Sequence, residues 1–478
     1  MQLNRAELRD KIWGCWLGKN LGGTLGGPFE GTEEVLDVKG FTSQKGEPLP
    51  NDDLDLQLVW LRAMEDMGPK GLHANALADY WLCYISPHFN EYGTGKVNLQ
   101  MGLLPPLSGE MNNALWHHSN GAWIRSEVWA CMAPGVPRVA VKYAIMDGSV
   151  DHGLAEGTLA EIFTAALESM AFFEDNIRSL INKALAFIPS DCRVARSVGI
   201  VLEGYDSGKS WVDVRNAVVE DSRDLGMFMA PANIAFTILG LIYGEGDFKR
   251  SMLYAVNCGD DTDCTAATCG AIMGIMRGAS QIPEDWKEYI GDAIKNVCIN
   301  GEYIGYVPHT CTELTDRVIA QIPLVLQAYG IEVEMTDAES SMGDVKPDDI
   351  LKGYAEEILK RSAYSFEVKA EPHTSAYVTY EGPAFVKSGE DFHVKVHFRN
   401  YRRGPLYFEM DVKLPEGWSA DYSRSVFVIH DSIKGNGEGF WEMTIHVGEQ
   451  VEAINRIPVM AWGRGKATPV VIPIVLLG

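Results

Sequence analysis

Basic residues are scarce in this 478-residue chain: 41 Lys and Arg stand against 65 Asp and Glu, a formal charge of −24. So acidic a surface excludes direct binding to a nucleic-acid backbone, which needs basic side chains to release counterions. It leaves room for one nucleotide held through metal ions. Long apolar runs are missing too, and none approaches the ~18 residues of a membrane span, so no membrane partner is expected. The opening segment Met1–Leu8 has no apolar signal-peptide core, which makes cytoplasm the expected compartment. The nine cysteines contain no C-x-x-C pair and stop at Cys311. Their odd, dispersed set reads as reduced core thiols rather than a zinc or disulfide framework.

What is present begins with size. A chain of 478 residues exceeds a usual single core and should divide into at least two domains. Hydrophobic residues at 46% and charged residues at 22% describe an ordinary folded protein.

Three carboxylates lie close together in Cys258-Gly259-Asp260-Asp261-Thr262-Asp263-Cys264-Thr265, at the mouth of a small-residue helix. Asp at a helix start can simply cap free N–H groups and complement the helix dipole. Three so close repel one another unless a cation or donors neutralise them, and hard divalent cations prefer such oxygen-rich pockets. A second set, Asn51-Asp52-Asp53-Leu54-Asp55, opens another helical pattern, with Asn51 suited to the N-cap. Two such helix starts can bring four or more carboxylates to a shared pair of cations about 3.5 to 4 Å apart, a recurrent way to activate water.

With two further segments these clusters resemble the ADP-ribosylglycohydrolase family. Gly14-Cys15-Trp16-Leu17-Gly18, continuing to Gly26-Gly27-Pro28-Phe29-Glu30-Gly31, is similar to the family's glycine-rich first helix and the loop bearing its glutamate. Asn51-Asp52-Asp53-Leu54 stands where the family has Thr-Asp-Asp-Thr, and Asp261-Thr262-Asp263-Cys264 where it has Asp-x-Asp-Thr or Ser. Ser119-Asn120-Gly121-Ala122-Trp123-Ile124-Arg125 and Val150-Asp151-His152 also fit, and the likeness spans roughly residues 6 to 330. The resemblance implies an all-α hydrolase in which Asp52, Asp53, Asp261 and Asp263 hold two Mg2+ ions, with Mn2+ as the alternative, while Glu30 handles proton transfer. Asn51 can offer its amide oxygen to a hard cation. Cys264 replaces a hydroxyl ligand by sulfur, with Thr265 next to it as the substitute, one step of about 100 degrees around the helix. Ser119, Asn120 and Gly121 are expected to meet the substrate, the loop's N–H groups serving a pyrophosphate. His152 is either a substrate contact or a structural histidine.

Taken in order, Gly14, Gly18 and Gly22 recur every fourth position in a first helix, where each costs about 1 kcal/mol unless close packing needs it. Residues 72–86 and 137–187 read as helices, and 93–122 as loops framing a cleft. From 193 to 330 the pattern is helical throughout. The expected organisation is an all-α hydrolase domain over 1–334, a linker with a short helix over 335–364, and an all-β immunoglobulin-like sandwich of six or seven strands over 365–478. The last has no clustered acids, cysteines or histidines, so it reads as a supporting or oligomerisation module; Trp418, Trp441 and Trp462 could otherwise form a sugar-binding face.

Three functions fit these residues. The first is hydrolysis of a ribosyl C1 linkage in an ADP-ribosylated substrate; the second applies the same machinery to a nucleoside or other furanoside. The third is a non-catalytic ligand-binding protein with a structural metal.

Overall fold

The computed structural model describes residues 1–300, 305–371, 374–402, 404–430 and 437–478. Up to Ala328 the regular elements are helices, apart from the short strand Gln2–Asn4. At the centre lie two helices, Arg5–Gly26 and Thr262–Arg277, buried for most of their lengths. Their contact is a ladder of small residues. A Cβ on Gly14 would lie 2.5 Å from the Gly274 carbonyl oxygen, and one on Gly18 would lie 2.0 Å from that of Gly270. The same steps bring Gly22 onto Ala266 and Gly26 onto Thr262. The four-residue spacing is one face of each helix, run antiparallel, so backbone meets backbone. The ladder delivers the end of the first helix to the start of the other, beside Asp261 and Asp263.

The segment 137–187 is three helices, Pro137–Gly148, Glu156–Met170 and Ile177–Leu185. The first break holds Asp151 and His152. A helix over Asn90–Met101 occupies part of the stretch expected to be loop. Its glycines hid it: a Cβ on Gly93 would meet the His88 carbonyl oxygen at 2.3 Å, and one on Gly95 would crowd Asp151. These glycines serve close approach rather than a turn.

The expected linker is partly structured. Glu334–Thr336 forms a parallel pair with Gln2–Asn4, register Leu3 to Met335. The short helix expected there is Tyr354–Leu359, preceded by a 3-10 turn, Pro347–Asp349, and by left-handed Leu351 and Gly353. Ala355 is buried in the helical core, with Ile350, Leu351 and Ile358 packed against it.

Beyond it the chain forms two antiparallel sheets. One has the order Val470–Leu477, Ile454–Gly463, Leu406–Val412, Ser425–Val428; the other runs Ser365–Glu371, Thr374–Tyr380, Asp391–Asn400, Gly437–His446, Ser419–Tyr422. That makes nine strands among the described residues, above the six or seven expected. Ser419–Tyr422 and Ser425–Val428 have four residues each, too short to show a period of two. The sheets share one apolar core, which also takes in Leu103, Leu107 and Met111 from the helical part. Trp418 and Trp441 are buried in that core and only Trp462 is exposed, which removes the three-tryptophan sugar face.

Candidate active site

At the end of the ladder the chain leaves the first helix through the turn Gly27–Phe29 and presents Glu30. The loop is stitched to the other helix start: Gly31 N–H donates to the Asp260 carbonyl at 2.9 Å, and Asp260 N–H to that of Thr32 at 2.7 Å. Gly259 and Asp260 both have positive φ, 76° and 65°. Such a conformation is uncommon for a side-chain-bearing residue and needs outside support. Asp260 receives it from the Phe228 N–H, 2.7 Å from its carboxylate. This reversal sets Asp261 and Asp263 at the mouth of the Thr262–Arg277 helix. The helix Asp52–Gly71 contributes the third wall, and Asn51 caps it by accepting the Asp53 N–H at 2.8 Å.

Two groups of ligand atoms result, each within 4.8 Å of one another: Asp53 with Asp263 and Cys264, and Glu30 with Asp261 and Asp263. Asp263 belongs to both. Asp52 stands beside them, its Oδ2 accepting the Tyr92 hydroxyl at 3.0 Å. Asn120 donates to Asp261 Oδ2 at 2.7 Å and accepts the Trp123 indole N–H at 3.0 Å. Cys264 Sγ donates to Asp53 Oδ2 at 3.3 Å.

The electrostatics of these carboxyls are unfavourable as they stand. Burial, then Asp261 and Asp53, push Asp263 well above the carboxylate range. Burial raises Asp53 to about 8, with Lys19 opposing and Asp52 and Asp261 adding. Asp52 is raised by burial and by Asp261. Glu30 opens to solvent at the cleft mouth, yet desolvation, Asp261 and Asp52 bring its carboxyl to about 7. Asp261 and Asp263 each keep a buried Oδ1 with no hydrogen-bond partner among the described residues, and Asp53 Oδ1 has only the Lys19 ammonium, at 3.3 Å. Crowded carboxylates with unpartnered oxygens are what a divalent cation relieves, and the donor set, all oxygen but for one thiol, fits one.

A cleft of about 440 Å³ opens over these groups. Of the residues expected from sequence, Glu30, Asn51, Asp52, Asp261, Asp263, Cys264, Ser119, Asn120 and Gly121 line it. Asp53 is buried beneath. One expectation is corrected, at Thr265, and at His152 the contacts favour the structural one of its two readings. Thr265 is fully buried with its hydroxyl on the Thr262 carbonyl at 3.2 Å, bound within its own helix rather than turned to the carboxylates. His152 does not line the cleft: its ring lies between Asp151 Oδ1 and Ser119 Oγ, each at 3.0 Å, and props the Ser119 loop from behind. Asn51 has its amide oxygen engaged as the helix cap.

Several residues went unread in the sequence. Lys19, fully buried, lies 2.7 Å from Glu127 Oε1, 3.1 Å from Thr268 Oγ1 and 3.3 Å from Asp53 Oδ1. Burial disfavours its charge, but Glu127 and Asp53 outweigh that and hold the ammonium above its ordinary value. A lone charge amid small and apolar helix residues was the available signal. Glu91, raised to about 8 by burial and by Asp151, shares the cleft wall with Tyr92, Phe89, Trp116 and Phe228. Asp55, by contrast, turns away and accepts the N–H groups of Val297 and Cys298 at 2.5 and 2.8 Å.

A helical body whose helix starts converge on a carboxylate-lined cleft, with a glutamate at its mouth suited to proton transfer, defines a hydrolase with a site fit for divalent cations. The ADP-ribosylglycohydrolase family model matches residues 4–320, and the chain belongs to that family. It is a glycosidase of the ADP-ribosylglycohydrolase type. A solved structure described as an ADP-ribosylglycohydrolase-related protein complex aligns over 67% of this chain and 99% of its own, at 18% identity and a TM-score of 0.45. No curated protein matches the chain. Among the described residues no helix is long and apolar enough to cross a membrane.

Proposed function

We propose that the protein hydrolyses a ribosyl C1 N- or O-glycosidic bond, with an ADP-ribosylated acceptor as preferred substrate. The observation that carries this reading is the convergence of Glu30, Asp261 and Asp263 within 4.8 Å, with Asp263 shared by the second group through Asp53 and Cys264. Asp52, Asp53, Asp261 and Asp263 would hold two Mg2+ ions, or Mn2+, which supply positive charge toward ribose hydroxyls and water. The chain's own residues do the rest. Glu30, with a carboxyl near 7, takes a proton from the water that adds to C1 and returns one to the departing group. Asn120 fixes the orientation of Asp261, Tyr92 that of Asp52, and Lys19 offsets the charge of Asp53. Phe89, Trp116 and Phe228 supply aromatic wall against which a ring can lie.

A second reading has its own support: no Lys or Arg is found among the described residues that line the cleft, so a pyrophosphate would rely on backbone N–H groups and the ions. An uncharged furanoside or nucleoside needs neither. A panel of ADP-ribosyl-arginine, ADP-ribosyl-serine, O-acetyl-ADP-ribose, nucleosides and aryl furanosides, assayed in Mg2+, separates the two. Turnover led by ADP-ribosyl compounds supports the first; turnover confined to uncharged compounds replaces it. No turnover of any compound by metal-loaded protein would reject both and leave a binding protein.

A further inference from the structure

A second cavity, of about 540 Å³, lies where the helical part meets the first strands of the C-terminal sheets. Small-molecule sites run from roughly 300 to 1,000 Å³. The cavity touches Pro69 and Lys70, at the far end of the helix whose start carries Asp52 and Asp53. That helix is broken at Gly68, and its unbroken run from Asp52 to Met67 sets the two sites apart by roughly 22 Å at 1.5 Å per residue.

The charge of its lining runs against the rest of the chain. Lys70, Lys142, Arg361 and Lys369 all contribute, against one lining carboxylate, Glu367, in a protein of net charge −24. Arg361 is paired with Glu357 at 2.7 Å and lies over the Tyr377 ring at 3.6 Å. Lys142 rests on rings instead, its Nζ 5.0 Å from the Tyr329 centroid and 5.6 Å from that of Tyr354. Lys369 Nζ donates to the Lys70 carbonyl. Burial, then Lys142, depress the Lys369 ammonium, and Glu367 opposes them. Glu367 acts on both Lys142 and Lys369, but with Arg361 matched by Glu357 the lysines Lys70, Lys142 and Lys369 outnumber that single lining carboxylate, and a part-enclosed space of net positive charge suits an anion. Glu367 can accept hydrogen bonds from hydroxyl groups and would repel a ligand that was anionic throughout. Burial raises its carboxyl while Arg361, Tyr377 and Lys142 oppose. The tyrosine rings offer flat apolar faces with hydroxyl tips, as sugar rings require.

We infer that this cavity binds a phosphorylated sugar, free or as part of a nucleotide, with its phosphate at Lys142 and Lys369 and its hydroxyls at Glu367. The inference is independent of the substrate assigned to the carboxylate cleft.

Calorimetric titration of the full chain with ribose 5-phosphate, AMP, ribose and inorganic phosphate tests it. Saturable binding of ribose 5-phosphate or AMP is expected, the stronger of the two telling a free sugar phosphate from a nucleotide. Lys142→Met and Lys369→Met should each weaken that binding about tenfold or more, the scale of a lost charge-assisted contact. Glu367→Gln should weaken the sugar phosphate and spare inorganic phosphate. Circular dichroism melts of each variant verify folding, and a misfolded lysine variant leaves the other to decide. Binding unchanged in both lysine variants, binding abolished by Asp263→Ala instead, or no saturation by any probe up to about 10 mM would overturn the inference.

Discussion

The Asn120 side chain donates to Asp261 Oδ2 at 2.7 Å, joining residues 141 positions apart. Its own oxygen is held by Trp123, so the amide cannot turn over without losing both bonds. Asp261 therefore has one oxygen committed, while the other, Oδ1, is buried with no hydrogen-bond partner among the described residues other than the neighbouring Asp263 carboxyl. The loop that includes Ser119 and Gly121 thus sets the direction of a carboxylate on a different helix.

Asn120→Ala should cost about 1–3 kcal/mol in stability, the penalty for a buried polar group left without its partner. It should also weaken divalent-cation affinity, because Asp261 loses its fixed orientation. Denaturation and calorimetry of one preparation measure both; unchanged cation affinity would separate Asp261 from the metal.

Glu30→Gln should retain cation binding and lower turnover by ~100-fold or more, the usual scale of acid–base assistance. Steady-state kinetics beside a metal titration separate the two effects. Near-parental turnover would assign the proton transfer to another group.

Gly18→Ala should destabilise by about 1–3 kcal/mol or more, since its Cβ would lie 2.0 Å from the Gly270 carbonyl oxygen. Gly199→Ala, in the helix Arg193–Asp206 with nothing within 4 Å of its Cβ, should stabilise by about 0.5–1 kcal/mol. Urea titrations of the two variants should move in opposite directions; a tolerated Gly18→Ala would mean the ladder can open.

Cys264→Ser should shift preference toward Mg2+ and away from softer ions. Hydroxyl oxygen suits a hard cation, whereas the thiol now bonded to Asp53 suits it poorly. Competition between Mg2+ and Zn2+ measures the ratio, and an unchanged ratio would place Cys264 outside the coordination sphere.

Metal-free protein should lose stability as pH rises from about 6.5 to about 8. Asp53 and Glu91 are raised to about 8, Asp55 and Asp260 to about 7. In that window the folded chain holds protons the unfolded chain has released, so stability falls with increasing pH. His118, lowered to about 4 by burial and by His117, acts in the opposite sense below the ordinary histidine value, one group against four, so the fall is clearest above it. Thermal melts in chelator should show the fall and melts in Mg2+ should flatten it; equal slopes would mean the cation does not engage these carboxyls.

The helical body was readable because its signals are local: apolar spacing, caps and the i+4 glycines that became the ladder. The acids Asp52, Asp53, Asp261 and Asp263 were visible as helix-start clusters, and their convergence follows from the first helix meeting both starts, Gly26 at Thr262 and Gly23 at Asn51. Lys19 and Tyr92 escaped because a buried cation or hydroxyl gains meaning only from a partner distant in the chain, Glu127 or Asp52. The helix Asn90–Met101 escaped for a related reason: Gly93 and Gly95 lower helix propensity, and only the packed neighbours show why they are there. Thr265 was named for its nearness in sequence to the motif, while side-chain direction decided otherwise; His152 kept two readings because only its partners, Asp151 and Ser119, favour the structural one.

The pairing of Gln2–Asn4 with Glu334–Thr336 also sets an order of events in synthesis. During translation the first strand emerges with its partner some 330 residues from being made. The first helix waits nearly as long for Thr262–Arg277, the helix its glycines fit. A nascent chain therefore carries an exposed small-residue face for most of its synthesis, at roughly 5–20 residues per second. Folding of this body is expected to close late, from the outside helices inward, and a chain released before residue 262 has nothing to cover that face.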